Sequence, residues 1–133
     1  MRFNTKDITY YNQPFDHWVL DDFLDKNDAK KLSNQFIDFD NPTEEIIHYK
    51  GWIGEKRTCN RWDRFPPLTY STFSNLLSDK FIDKLSDITG ISPLYPDIGL
   101  HGGGWHMSGK GGSLAMHLDY SIHPKMNLQR KLN

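Results

Sequence analysis

The 133-residue chain has 16 basic and 17 acidic side chains, 14% aromatic residues and one cysteine. The balanced charge gives no field that would attract nucleic acid or an anionic membrane, and a lone cysteine excludes an internal disulfide or a cysteine-based structural zinc site. The aromatic content favours a packed interior, and the lack of an apolar leader or a transmembrane-length stretch predicts a cytoplasmic protein of a single domain.

The front of the sequence predicts a strand followed by a helix. Residues 14–24 (PFDHWVLDDFL) mix aromatic and branched side chains as a short strand does. Between Lys26 and Phe39, apolar side chains recur every three or four positions. This spacing predicts an amphipathic helix with Asp25 or Asn27 as its N-cap.

The middle of the sequence predicts a second strand and a pair of helices. The run at residues 46–49 (IIHY) suits a strand. The helices have apolar faces formed by Tyr70, Phe73, Leu76 and Leu77 and by Phe81, Leu85 and Ile88. Ser78 or Asp79 would begin the second helix, and Gly90 would end it. After Gly90 the sequence is rich in Pro and Gly and predicts short strands and turns.

Residues 113–120 (SLAMHLDY) carry the sharpest chemical pattern. In a strand, His117 and Asp119 would share one face, and the opposite apolar face would pack against helices. An imidazole and a carboxylate so placed match two ligands of the facial triad of non-haem iron enzymes, which leaves coordination positions open. The His-x-Asp spacing alone is weak, and a half-exposed strand whose polar side chains hydrogen-bond their neighbours is the plain alternative.

The wider stretch from residue 94 to residue 133 resembles the prolyl-4-hydroxylase-like group of 2-oxoglutarate/Fe(II)-dependent oxygenases. The positions that match the group's pattern are Asp97, Leu100 to Gly104, His106, Gly111, Gly112, Leu114, His117, Asp119, His123 to Lys125, Arg130, Leu132 and Asn133. The strand, helix and helix pair of the front also look like that group's N-terminal layer.

The resemblance implies a chemistry and the residues that support it. His117 and Asp119 would be the first two iron ligands, and Asn133 would border the co-substrate pocket in a minor role. The reactants would be Fe(II), 2-oxoglutarate and O2, with ascorbate as reductant, and the substrate an unknown peptide side chain or small molecule. The third ligand, a His, would follow roughly 50–60 residues after Asp119, and a basic residue that binds 2-oxoglutarate would come after it. The chain alone is therefore expected to be inactive.

The resemblance also implies an α+β fold. Residues 1–92 would form a front layer of helices and mixed structure. Residues 93–133 would form the first strands of a double-stranded β-helix, or jelly roll, cut short within one domain. The alternative to the enzyme is a non-catalytic remnant, or a binding and assembly module, that retains this front portion. Unpaired strand edges would then favour a homo-oligomer or a complementing chain.

Other side chains have a chemical interpretation and a plainer one. Residues 104–111 nearly match a phosphate-binding P-loop, but Gly111 stands where Ser or Thr is needed, so a Gly-rich hairpin turn is predicted instead. The remaining histidines are predicted to be surface, turn or packing residues, with His106 as a candidate for the pocket mouth. The tryptophans Trp52, Trp62 and Trp105 would anchor core or loops, or form a substrate shelf. Cys59 would be structural, or a thiol activated by neighbouring arginines.

Overall fold

The computed structural model describes residues 2–36, 47–49 and 56–133, with the backbone alone at 47–49. It forms two compact units, one from residues 1–36 and 66–93 and one from residues 37–65 and 94–133. The elements in chain order are β1 (Ile8–Tyr11), β2 (His17–Leu20), α1 (Lys26–Ser33), β3 (Ile47–Tyr49), β4 (Lys56–Cys59), a 3-10 turn (Trp62–Arg64), α2 (Pro67–Leu76), α3 (Asp79–Thr89) and β5 (Trp105–Met107). The predicted mixture of helices and sheet is confirmed.

A β-hairpin opens the first unit. β1 and β2 pair in antiparallel register, with Ile8 opposite Leu20. The strand predicted within residues 14–24 is confirmed as β2. The Tyr10 hydroxyl donates a hydrogen bond of 2.6 Å to the carboxylate of Asp16. That bond, with desolvation and the carboxylate's charge, raises the pKa of Tyr10 above its usual value.

Helix α1 begins where the sequence predicts and ends early. Asp25, rather than Asn27, is the N-cap, and its side chain accepts the backbone N–H groups two and three residues on, at 2.8 and 3.3 Å. The helix was expected to reach Phe39 but ends at Ser33. Asn34 forms the C-cap and the next amides bond three residues back, which tightens the chain into turns. Phe39 itself lies outside the described residues.

Helix α2 takes its cap from another part of the unit. Pro66 occupies the N-cap position without a side-chain hydrogen bond, and Pro67 is the first helical residue. The side-chain oxygen of Gln35 accepts the N–H groups of Leu68 and Thr69, at 3.1 and 3.3 Å. Thr69 is completely buried. The residues just after α1 therefore satisfy the donors that α2 cannot satisfy itself.

Helix α3 has the local signals that were predicted. The Ser78 hydroxyl accepts the N–H of Phe81 at 3.4 Å, and Gly90 ends the helix in a left-handed conformation with φ of 71°. The ring of Phe81 packs edge-on against Phe3 and Phe23, whose rings stack at 4.8 Å. These aromatic contacts attach α3 to the start of the chain.

The second unit contains an antiparallel sheet in the order β3-β4-β5. Thr58 in the central strand lies opposite Ile47 on one side and His106 on the other. The strand predicted at residues 46–49 is confirmed for residues 47–49. The central strand ends in buried side chains at Thr58 and Cys59, so the core of this unit begins here.

The loop before β5 lies tightly against the chain that follows β4. Gly104 has φ of 99°, and a Cβ there would stand 2.3 Å from the carbonyl oxygen of Cys59. The indole N–H of Trp62 donates to the carbonyl of Ile98 at 2.8 Å, and Leu100 is buried in the same loop. Glycine is therefore required at residue 104 by both conformation and space.

The strand expected at residues 113–120 is not formed. No residue of this segment is in a strand, and neither of the described sheets, β1-β2 and β3-β4-β5, includes it. Residues 109–112 do form the expected turn, closed by a 2.9 Å bond from the N–H of Gly112 to the carbonyl of Gly109, but no hairpin follows. Met116 and Leu118 are 100% and 97% exposed, so the apolar face predicted to pack on helices is uncovered.

Within the described ranges, no helix combines the length and the apolar character that crossing a membrane requires.

Candidate metal centre

His117 and Asp119 lie side by side in the second unit. Nε2 of His117 is 3.4 Å from Oδ1 of Asp119. Although the segment is not a strand, the side chains of His117 and Asp119 lie together, while Met116 and Leu118 are exposed to solvent. The proximity of the two side chains is confirmed, and their role as ligands stays a prediction.

The hydrogen bond of Nδ1, the second ring nitrogen of His117, determines whether Nε2 presents a hydrogen or a lone pair to Asp119. Nδ1 of His117 lies 2.7 Å from the carbonyl oxygen of Ala115. A carbonyl only accepts, so Nδ1 carries the hydrogen in the neutral ring and the lone pair is on Nε2. Two electron-rich atoms therefore face each other across 3.4 Å, an arrangement that a proton or a cation between them would stabilise.

The separation fits two adjacent ligands of one metal ion. A histidine nitrogen and a carboxylate oxygen each bind a transition metal at about 2.0–2.2 Å. Donors at that distance, about 90–110° apart as seen from the metal, are about 2.8–3.6 Å from each other. The observed 3.4 Å lies in the upper half of that range. The backbone carbonyl on Nδ1 is also the kind of support that orients a metal-binding histidine.

Arg130 holds the outer side of the Asp119 carboxylate. Its Nη1 lies 2.8 Å from Oδ2 of Asp119 and 3.0 Å from Oδ1 of Asn133. The centre of the guanidinium sits 4.1 Å from the centroid of the Tyr120 ring. Asn133, the third predicted site residue, is thus brought to the site through Arg130.

A cluster of rings supports this arrangement. The Tyr120 hydroxyl donates to the carbonyl of His101, and the Tyr120 ring contacts the rings of His101 and His123. His123 was predicted to be a surface or turn residue, and its side chain is only 12% exposed. Its Nδ1 accepts the N–H groups two and three residues on, and its Nε2 lies 3.3 Å from the carboxylate of Asp97. His123 is therefore a largely covered turn residue, so the turn alternative of its prediction is confirmed.

Asp97 fixes the loop on the other side of that cluster. Its two oxygens accept the N–H groups of Gly99 and His101. A carboxylate that accepts backbone N–H groups while facing an imidazole orders both partners. The family-like residues Asp97, His101, His123 and Arg130 thus belong to one packed framework behind His117 and Asp119.

No third metal ligand joins the pair in the described part of the chain. Among these residues, no three His, Cys, Asp or Glu side chains are grouped so as to hold a metal ion. His106 lies in β5, where its Nε2 is 3.3 Å from the carbonyl of Gly103 and not beside His117. His17 stacks on Tyr11 in the first unit. The side chain of His48 lies outside the described residues.

The other candidates take structural roles where they are described. Trp62 anchors a loop through its N–H, as above, and Trp52 lies outside the described residues. Cys59 is 2% exposed, and the guanidinium of Arg61 binds both oxygens of Asp63, at 3.1 and 2.8 Å. That contact holds the pKa of Asp63 below its usual value. No helix follows Lys110, so the structure agrees with rejecting a P-loop.

The contact between Arg130 and Asp119 was not predicted from sequence. Arg130 was noted only as a matching position, and its contact with Asp119 depends on a turn that brings residues 11 apart together. A backbone hydrogen bond from Arg130 to the carbonyl of Ser121, and a bridge between Ile122 and Gln129, close that turn. The sequence signal for such a reversal is Pro124, because proline presets the backbone angle that the second position of a turn requires.

A cavity of about 500 Å³ lies beside the sheet of the same unit. Lys56, Arg57 and Met107 line it together with Ser113 and the Gly-rich turn at residues 109–112. Ser113 is four residues from His117, so their Cα atoms are at most about 14 Å apart. Neither His117 nor Asp119 is among the residues that line this cavity.

Comparison of the chain with protein-family models, with curated protein sequences and with solved structures gave no match. The functional interpretation consequently depends on the residues of the site and their geometry.

Proposed function

We propose that the chain supplies two of the three protein ligands of the iron centre in a 2-oxoglutarate- and Fe(II)-dependent oxygenase. The observation that carries this proposal is the 3.4 Å separation of His117 Nε2 and Asp119 Oδ1. The bond of Nδ1 to the Ala115 carbonyl leaves the lone pair of the neutral ring on Nε2, where it faces Asp119. The family-like sequence of residues 94–133 supports it. The proposal includes the beginning of a double-stranded β-helix, in which residues 113–120 become a strand once they are paired.

The residues of this chain would bind Fe(II) and orient the two ligand side chains. His117 and Asp119 offer one nitrogen and one oxygen to Fe(II), and Arg130 and the Ala115 carbonyl fix their directions. Iron, 2-oxoglutarate and oxygen would supply the oxidising chemistry of substrate hydroxylation. The third histidine and the basic residue for 2-oxoglutarate follow residue 133 in the family pattern, so no residue here is assigned to those roles.

Metal titration tests the two ligands. Mn(II), followed by electron paramagnetic resonance, should bind weakly, because two protein ligands leave most of the coordination sphere to water. His117→Ala and Asp119→Ala should each weaken binding by about tenfold or more. His106→Ala is the matched control and should leave the affinity unchanged, since His106 lies in β5. Equal affinity in wild type and both ligand variants would remove the assignment.

Turnover gives a second test. The 133 residues with Fe(II), 2-oxoglutarate and ascorbate should release no succinate above a boiled control, because two ligands cannot hold the reactants in reacting geometry. Succinate that disappears in His117→Ala would show instead that the site is complete within this chain.

A second candidate function is a non-catalytic module that assembles with copies of itself. The observation that favours it is the exposure of Met116 and Leu118, which leaves an alternating apolar segment without a covering layer. Light scattering over a concentration series should show a mass that rises with concentration.

Replacement of Met116 and Leu118 tests whether their exposed surface causes the self-association. The double variant Met116→Ser/Leu118→Ser should remain monomeric, while Val19→Thr, at an exposed apolar position in the first unit, should associate like wild type. A monomer at every concentration would eliminate the assembly proposal. Association without metal binding that depends on His117 would favour it over the oxygenase.

A further inference from the structure

We propose that Arg130 is a positioning residue that makes Asp119 a one-oxygen ligand, an inference that rests on the proposed metal centre. The two oxygens of Asp119 have different surroundings. Oδ1 faces Nε2 of His117 at 3.4 Å, whereas Oδ2 receives the Nη1–H of Arg130 at 2.8 Å. An oxygen held by a charged donor is a poorer metal ligand than its free partner.

Arg130 is itself held at several points. Its backbone N–H donates to the Ser121 carbonyl at 2.7 Å, and its guanidinium lies over the Tyr120 ring. Nη1 also donates to Asn133, and the side chain is only 21% exposed. Tyr120 cannot move aside freely, since its hydroxyl is bonded to the carbonyl of His101. The carboxylate therefore meets a donor whose position the surrounding turn determines.

The consequence concerns the number of open coordination positions. A carboxylate bound through both oxygens occupies two positions, and one bound through Oδ1 occupies one. With Oδ2 held by Arg130, Asp119 leaves the additional position for reactants, which is what an iron centre of the facial-triad type needs. Lysine would not replace this arginine fully, because an ammonium cannot both stack on Tyr120 and donate in two fixed directions.

The test measures how Asp119 binds a metal ion. Wild type, Arg130→Met and Arg130→Lys are titrated with Mn(II), and infrared difference spectra with and without metal report the separation of the two carboxylate stretching bands. The Asp119→Asn spectrum identifies the bands of Asp119. Lys131→Met is the control, since it removes one positive charge from the exposed neighbouring position.

Wild type and Lys131→Met should show the wide band separation of a one-oxygen ligand. Arg130→Met should show the narrower separation of a two-oxygen ligand, together with a change in Mn(II) affinity of about threefold or more. Arg130→Lys, which keeps the charge and is the variant to use if Arg130→Met fails to fold, should give a mixture of both bands.

The outcomes separate this inference from the proposed function. Unchanged bands and affinity in both folded Arg130 variants, with binding still lost in His117→Ala, would overturn the role of Arg130 alone. Binding that is indifferent to His117 and Asp119 would overturn the metal centre and this inference with it.

Discussion

The ends of helix α3 in the first unit and the site-bearing part of the second unit are organised by different kinds of contact. In α3 the helix is bounded by its own residues, the Ser78 hydroxyl at one end and the left-handed Gly90 at the other. Around Asp119 the order comes from contacts between residues distant in sequence, such as Arg130 and, behind it, Tyr120 with His101. A substitution that removes a local contact should destabilise mainly its own element. Contacts between distant segments depend on one another, so the loss of one should weaken the others.

The largest effect is expected where the second unit is most tightly packed. Gly104→Ala would place a methyl group 2.3 Å from the carbonyl of Cys59 and force alanine to φ of 99°. We expect a loss of more than about 3 kcal/mol, because overpacking and left-handed strain add. Urea unfolding followed by tryptophan fluorescence measures it.

Gly109→Ala is the control for that experiment. Nothing lies within 4 Å of a Cβ at residue 109, so its stability should stay within about 0.5 kcal/mol of wild type. Equal stability of the two alanine variants would show that the second unit is not organised by this close approach.

A smaller effect is expected at a local signal of the first unit. Asp25→Ala removes the acceptor for two amides at the start of α1 and should cost about 1 kcal/mol of unfolding free energy. Asp25→Ser keeps a capping oxygen and should recover most of that loss. Circular dichroism during thermal unfolding provides the measurement. A loss as large as that of Gly104→Ala would contradict the division into local and distant contacts.

The smallest expected effect is a dependence of stability on pH, caused by the hydrogen bond between Tyr10 and Asp16 in the hairpin of the first unit. The pKa of Tyr10 is raised because its hydroxyl donates to Asp16, so the bond exists while the phenol is protonated. Its contribution to stability is present below the unfolded pKa of about 10 and is lost as the pH rises through the folded pKa.

The ultraviolet titration of wild type minus that of Tyr10→Phe isolates this phenol. Its midpoint should fall in Asp16→Asn, whose amide lacks the negative charge. A midpoint that does not move would mean that Asp16 is not the cause of the shift.

The parts of the structure that were predictable from sequence are those with local causes. Ser78 and Gly90 mark the ends of α3 because a cap and a left-handed stop act within one turn. The proximity of His117 and Asp119 was also predictable, since residues two apart in extended chain point the same way.

The features that sequence did not predict correctly depend on contacts with other segments of the chain. A strand at residues 113–120 needs a neighbour to receive its hydrogen bonds, and the described chain provides none. The hydrogen bond from Arg130 to Asp119 depends on the geometry of the turn between them, and the spacing of residues in the sequence does not specify that geometry. The metal role of the pair therefore stays a prediction from the motif.

The cap that Gln35 gives to α2 has a consequence for the order in which this unit opens. Helix α2 loses the acceptor for its first N–H groups whenever the segment that carries Gln35 detaches, so fluctuations of the two helices should be linked. The amide hydrogens of Leu68 and Thr69 would then exchange with solvent at the rate at which the end of α1 comes loose, rather than at the faster rate of a fraying helix end. In this sense α1 and α2 form one opening unit, although 33 residues separate Gln35 from Leu68 along the chain.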